Sequence, residues 1–169
     1  MGMLEINEMG SHFFESKATS VWIKQMLNHL SKKDGETKKN ANIAFEIEAL
    51  MAKIPRRSQI ILFIDLFQEN LEKILDAAAL LAFEGHSVRC TFISHAELEL
   101  NEEYFAGKQV IDIETGTKAY INQNDAKRYV SFVEAQKEWA ITLSRNMNLN
   151  CKILDASREP MYLLRELLA

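Results

Sequence analysis

The stretch "RRSQIILFIDLFQENLEKIL", residues 56–75, decides how this chain is read. Residues 60–64 are an unbroken apolar run ending on an acid, Asp65; the run is long enough for a buried strand and too short for a helix. Residues 58–65 therefore read as a parallel strand, apolar on both faces. Leu71, Ile74, Leu75, Ala78, Leu81 and Ala82 then recur at helical spacing. Gly85 stands where such a helix closes in the left-handed conformation, and residues 87–93 read as the next strand. Strand, helix and strand make a βαβ unit whose crossover is expected to be right-handed. A buried strand that finishes on a carboxylate poses the functional question. Either Asp65 holds a ligand at the carboxyl rim of the sheet, where open α/β sheets bind their ligands, or it caps the turn and the following helix.

Working outward, residues 2–7 alternate weakly as a strand, with 12–15 as a hairpin partner across Met9, Gly10 and Ser11. Trp22, Ile23, Met26, Leu27 and Leu30 form a helical stripe capped by Ser20. Ile43, Ile47, Leu50, Met51 and Ile54 form another, capped by Asn40 or Asn42 and ended by Pro55. Downstream, residues 97–100 alternate acid and apolar, which puts Glu97 and Glu99 on one solvent face. Residues 109–113 and 118–121 read as a hairpin through Gly116. Asn124 or Asp125 is expected to cap a long helix whose inner face carries Tyr129, Phe132, Val133, Ala140, Leu143 and Met147. Residues 151–154 make a last strand. Ser157 caps a closing helix with Pro160 in its first turn and Met161, Leu164 and Leu167 or Leu168 turned inward. Strands alternating with helices predict an α/β fold: a three-layer, open, mostly parallel, Rossmann-like sheet in one domain spanning residues 1–169.

Composition narrows the function classes. The chain has 169 residues, 47% of them hydrophobic and 26% charged, with two prolines and six glycines, which is ordinary globular usage. A net charge of −4 gives no pull toward nucleic acid or anionic lipid, so neither is an expected partner. Lys32, Lys33, Lys38 and Lys39 read as a solvated loop around Gly35. Cys90 and Cys151 lie far apart in apolar stretches and read as small core residues in a reducing compartment. The first ten residues lack the basic and apolar regions of a secretory leader, and no apolar run reaches membrane-spanning length. A cytoplasmic protein is expected.

Few residues suggest chemistry. His12, His29, His86 and His95 have no metal-ligand spacing, and there is no nucleophile elbow, P-loop or dinucleotide-binding glycine motif. His86 fits a solvated turn; His95, after Ser94 at a strand end, fits the rim. Glu97, Glu99, Glu102 and Glu103 read as surface charge. A hard cation needs several oxygen ligands, and Asp65 has Ile64, Leu66 and Phe67 for neighbours.

Several strings, in order along nearly the whole chain, resemble the family called domain of unknown function 58, whose C-terminal half is similar to a von Willebrand factor type A domain. They are "FFESKATSVWIKQMLNHL", "KIPRRSQIILFIDLF", "EGHSVRCTFISHAELEL" and "DIETGTKAYIN". The resemblance implies a metal-ion-dependent adhesion site: an Asp-x-Ser-x-Ser motif after the first strand, a threonine in a later loop and an aspartate after the fourth strand. Asp65 matches the last of these. Ile64 stands where the family has serine, the threonine falls near Ala41 with Asn40 and Asn42 the nearest polar groups, and Asp-x-Ser-x-Ser is absent. Set against the family, the sequence begins at its second strand, so the usual first strand and helix are expected to be missing. The metal site is then expected to be degenerate, with no cofactor, or Mg2+ only if a remnant site is intact. Loss of a central strand leaves edges to be satisfied. Either residues 2–7 move against residues 58–65, or two chains form a homodimer by strand pairing.

The resulting expectation is a non-catalytic protein–protein interaction module, binding through a rim of Asp65, Asn42, Ser94 and His95. Family genes commonly accompany MoxR-type AAA+ ATPases, so the resemblance implies such an ATPase, or its client, as partner. The alternative is a metal-dependent hydrolase or nuclease that uses Asp65 with Glu69 and a distant acid such as Asp155.

Overall fold

The computed structural model describes residues 2–7, 10–31, 42–111 and 116–168. The chain forms two compact units, Met1–Arg56 and Arg57–Ala169.

The first unit opens with an antiparallel hairpin of β1 (Met3–Asn7) and β2 (Gly10–Phe14), followed by α1 (Ser20–Ser31) and α2 (Ile43–Leu50). One of its two helix starts differs from expectation and the other meets it. Thr19, not Ser20, caps α1, its hydroxyl accepting the Trp22 N–H at 3.3 Å. Asn42 caps α2 by accepting the Phe45 N–H at 3.2 Å. The other candidate cap, Asn40, and the lysine run lie outside the described residues. Across the hairpin and α1, His29 and Glu5 pair at 2.7 Å, and His12, Phe14 and His29 pack ring against ring. Strand β1 pairs with β2 in a two-stranded sheet.

The second unit is built on three parallel strands in the order β3 (Gln59–Asp65), β4 (Ser87–Ser94), β7 (Asn150–Asp155). Between β3 and β4 runs α3 (Leu71–Phe83); between β4 and β7 come the short turns α4 (Ala96–Glu99) and α5 (Glu102–Phe105), the hairpin β5 (Lys108–Ile111) and β6 (Lys118–Ile121), and the long α6 (Gln123–Asn146). The link at 112–115, with Ile113, lies outside the described residues. Helix α7 (Pro160–Leu168) closes the chain. The result is a mixed α/β unit, a parallel sheet flanked by helices. No helix among the described residues is long and apolar enough to cross a membrane.

Register explains the core. Ile60, Leu62 and Ile64 align with Val88, Cys90 and Phe92, and Cys90 and Phe92 with Cys151 and Ile153, so all share one sheet face. Both crossovers step the same way across the sheet, so right-handed connections put α3 and α6 over that face. Ile60, Ile64, Val88, Cys90 and Phe92 are buried there, with Leu71, Ile74, Leu75, Ala78 and Leu81 of α3 and Ala126, Val133 and Ala140 of α6. Each large apolar side chain so placed contributes about 1.5–3 kcal/mol. Leu75→Ala, at a fully buried position, would cost roughly 2–5 kcal/mol. Helix α3 ends as expected: Gly85 has φ +90°, its N–H bonds Ala82 O, and the His86 N–H reaches back to Leu81 O.

Five expectations fail here. Strand β3 is buried on one face only, because it is a sheet edge and Phe63, on the other face, stays 60% exposed. In α6 the inward stripe is Ala126, Val133, Ala140 and Ser144, and Tyr129 and Phe132 fall beside it, exposed. Its cap is Asn122, whose side chain accepts the N–H groups of Asn124 and Asp125. At the end of the chain, Met161 is exposed and Ser157 binds Asp155 rather than capping α7, which opens at Pro160.

Candidate functional site

The carboxyl ends of β3 and β4 open into a cavity of about 440 Å³ lined by Asp65, Ser94, His95, Glu99 and the side chains of Phe63, Ile64, Phe67, Ile93 and Tyr129. A ligand in an open parallel sheet is expected at this end. Three of the four candidate binding residues, Asp65, Ser94 and His95, therefore lie in one cavity. The fourth, Asn42, belongs to the first unit, where it caps α2.

Asp65 caps its turn. Its Oδ1 accepts the Phe67 N–H at 2.8 Å, and its carbonyl accepts the Gln68 N–H at 3.2 Å, so the carboxylate shapes the turn. The turn delivers the chain to α3 through Asn70, which adopts a left-handed φ of 58°. Yet Asp65 is exposed and faces the cavity, and its position on β3 puts it on the same sheet face as Phe63. Two exposed phenyl rings, Phe63 and Phe67, line the same cavity.

Around it the other groups are committed to one another. Ser94 is 2% exposed and its hydroxyl donates to Glu99 Oε2 at 2.7 Å; Lys137 Nζ stands 3.9 Å from the same oxygen. Glu99 is turned this way because residues 96–99 form a helical turn, which overturns the strand-like alternation expected to send Glu97 and Glu99 to one solvent face together. The Tyr129 hydroxyl is raised above the usual tyrosine range, first by burial and then by the Glu99 charge. His95 Nδ1 is buried and has no hydrogen-bond partner among the described residues. Asp155 ties the ends of β4 and β7 together: its Oδ1 accepts from Ala96 N at 3.0 Å, Ser157 N at 3.1 Å and Ser157 Oγ at 2.7 Å. Burial works to raise the Asp155 pKa, and these hydrogen bonds, with Arg158 nearby, outweigh it and hold the carboxyl below its ordinary value.

The donor set does not fit a divalent cation. Among the described residues no three His, Cys, Asp or Glu side chains converge as metal donors. Asp65 aligns with Ile93 and Asp155 with Ser94, so the two acids project from opposite sheet faces, on strands two spacings apart. That separation is roughly 10 Å of sheet, whereas opposite oxygens around one Mg2+ span about 4 Å. Glu69 does not line the cavity. Ala41, near which the family's threonine would fall, lies outside the described residues.

Sequence reasoning missed Glu99, Phe63, Phe67 and Tyr129 as lining residues. The signal for Phe63 was present: it precedes Asp65 by two, so strand periodicity alone puts both on one face. His86, expected to be solvated, is half-buried, and its Nδ1 accepts the Ser58 N–H at 3.2 Å.

Comparison of the chain with family models, curated proteins and solved structures gives no match.

Proposed function

We propose that this chain is a non-catalytic protein–protein interaction module, similar to the von Willebrand factor A-like half of the domain of unknown function 58 family. In this reading its metal-ion-dependent adhesion site has been dismantled to a single carboxylate, and it works in the cytoplasm with a MoxR-type AAA+ ATPase or that enzyme's client. The observation that carries the reading is the rim: Asp65, exposed and in no group of three metal donors among the described residues, shares its cavity with Phe63 and Phe67, which are 60% and 40% exposed. Exposed aromatic side chains around a polar anchor are the composition of interface centres. The three parallel strands joined through helices are compatible with such a domain. Hydrolase or nuclease chemistry has less support, because Asp65 and Asp155 point to opposite faces and Asp155 is spent on the loops.

The test is photo-crosslinking in the native cells. A photoreactive amino acid at Phe67 captures a discrete partner, Asp65→Asn weakens the capture several-fold, and the same probe at Phe83, 85% exposed at the end of α3, does not capture it. Equal labelling at both positions, indifferent to Asp65, would remove the reading. Self-association is a separate part of it, suggested by β3, an edge strand without proline or lysine. Sedimentation over a concentration series should show dimer that Phe63→Lys abolishes; a monomer throughout ends the pairing idea.

A further inference from the structure

The rim cavity has a chemistry more specific than "protein-binding". Phe63, Phe67 and Tyr129 give it three partly exposed ring faces. Two are braced from behind: Phe67 stacks on Phe132 at 5.9 Å between centroids, and Tyr129 meets Phe105 edge-on at 4.9 Å. Asp65 and Glu99 add two carboxylates, and no lysine or arginine is among the lining residues. Glu99 already has Ser94 and Lys137 beside it, whereas among the described residues the Asp65 carboxylate accepts the backbone N–H of Phe67 alone.

Each ligand class meets this differently. An anion would face two carboxylates with no compensating cation in the lining. A purely apolar ligand would cover the Asp65 carboxylate and strip its water without replacing it, which is costly. A hard metal ion would find too few oxygens. A flat, weakly hydrated organic cation suits the exposed rings and the Asp65 carboxylate together, because guanidinium stacks on aromatic rings and forks onto a carboxylate.

Resting on the proposed module reading, we propose that this cavity receives an arginine side chain of a partner protein, its guanidinium on Asp65 and its stem and planar face against Phe67 and Phe63. Phe132 holds the Phe67 ring in place before the ligand arrives, so little freedom of that side chain is lost on binding. Lysine would fit less well, since ammonium cannot stack or fork.

The test is an amide NMR titration of the full chain at low salt with N-acetyl-arginine methylamide, and with its citrulline analogue, which has the same shape without the charge. Saturable shifts are expected for Phe63, Asp65, Phe67 and Ile93 with arginine, with citrulline at least tenfold weaker. Asp65→Asn keeps a side-chain oxygen to accept the Phe67 N–H, so the turn survives, and it should weaken arginine binding at least tenfold. Phe67→Ala should weaken it about fivefold. No saturable shift, equal binding of citrulline, or indifference to Asp65→Asn overturns the proposal. Failure here alongside Asp65-dependent crosslinking at Phe67 refutes the arginine and spares the module; failure of both refutes the module as well.

Discussion

Asp155→Ala is the substitution whose cost the structure specifies best. The side chain is 25% exposed and its Oδ1 serves three donors, the N–H of Ala96 and the N–H and hydroxyl of Ser157. Hydrogen bonds to a charged group are worth about 1.5–3 kcal/mol each, but three sharing one oxygen do not add in full. Helix-cap deletions, the nearest measured analogue, cost about 0.5–2 kcal/mol. With partial solvent access discounted, the loss should be about 2–3 kcal/mol, or a fall in Tm of roughly 10 °C. Asp155→Asn keeps an acceptor and loses only the charge, so about 1 kcal/mol is expected. The assay is urea unfolding followed by Trp139 fluorescence in a Trp22→Phe background, which confines the signal to the second unit. Acid supplies the sign. The folded carboxyl lies below its ordinary 3.8, so its contribution is complete above the unfolded value and is lost as pH falls through the folded one. The gap between wild type and Asp155→Asn should stay constant from pH 7 to about 5 and close below about 4. An alanine variant within about 0.5 kcal/mol of wild type, which is the scale of an indifferent surface change, or a gap that widens in acid, would refute the reasoning.

Two further outcomes follow from single positions. Cys90 is fully buried and its thiol is pushed up to about 12, by burial first and then by Cys151, its register neighbour on β7; a disulfide exchange reagent at pH 8 should label half-buried Cys151 at least tenfold faster, and equal rates would contradict this core. Gly85→Ala should cost about 1–2 kcal/mol, because φ is +90° while a Cβ there would touch nothing within 4 Å; a neutral result in the same urea assay would show that the helix end does not need the left-handed conformation.

The β3–α3–β4 unit was legible because three independent signals agreed: an uninterrupted apolar run, a helical stripe and a glycine at its end. What the sequence hid was which face a residue takes once its element is known. Tyr129 and Phe132 sit at plausible core spacing, but the small residues Ala126, Val133 and Ala140 let α6 approach the sheet and push the rings aside toward the rim. Residues 96–99 show an alternation that fits a strand and a single helical turn equally well, and only the turn brings Glu99 to Ser94. The capping errors share one cause. Where polar residues crowd a helix start, as Thr19 with Ser20 or Asn122 with Asn124 and Asp125, backbone geometry selects among chemically equivalent acceptors. Asp65 was legible as a rim acid, and Phe63 could have been read beside it from strand periodicity; that Phe67 and Tyr129 line the same cavity depends on turn and helix geometry that the sequence pattern did not show.

Calorimetric titration of the chain with Mg2+ and Mn2+, beside Asp65→Asn, weighs the central idea against its rival in one experiment. A carboxylate already spent in part on the Phe67 amide, with no group of three metal donors among the described residues to complete a site, should give no saturable heat with either ion. Saturable binding in the micromolar range that disappears in Asp65→Asn would mean an intact cation site, and the account of a metal-free recognition rim would be wrong.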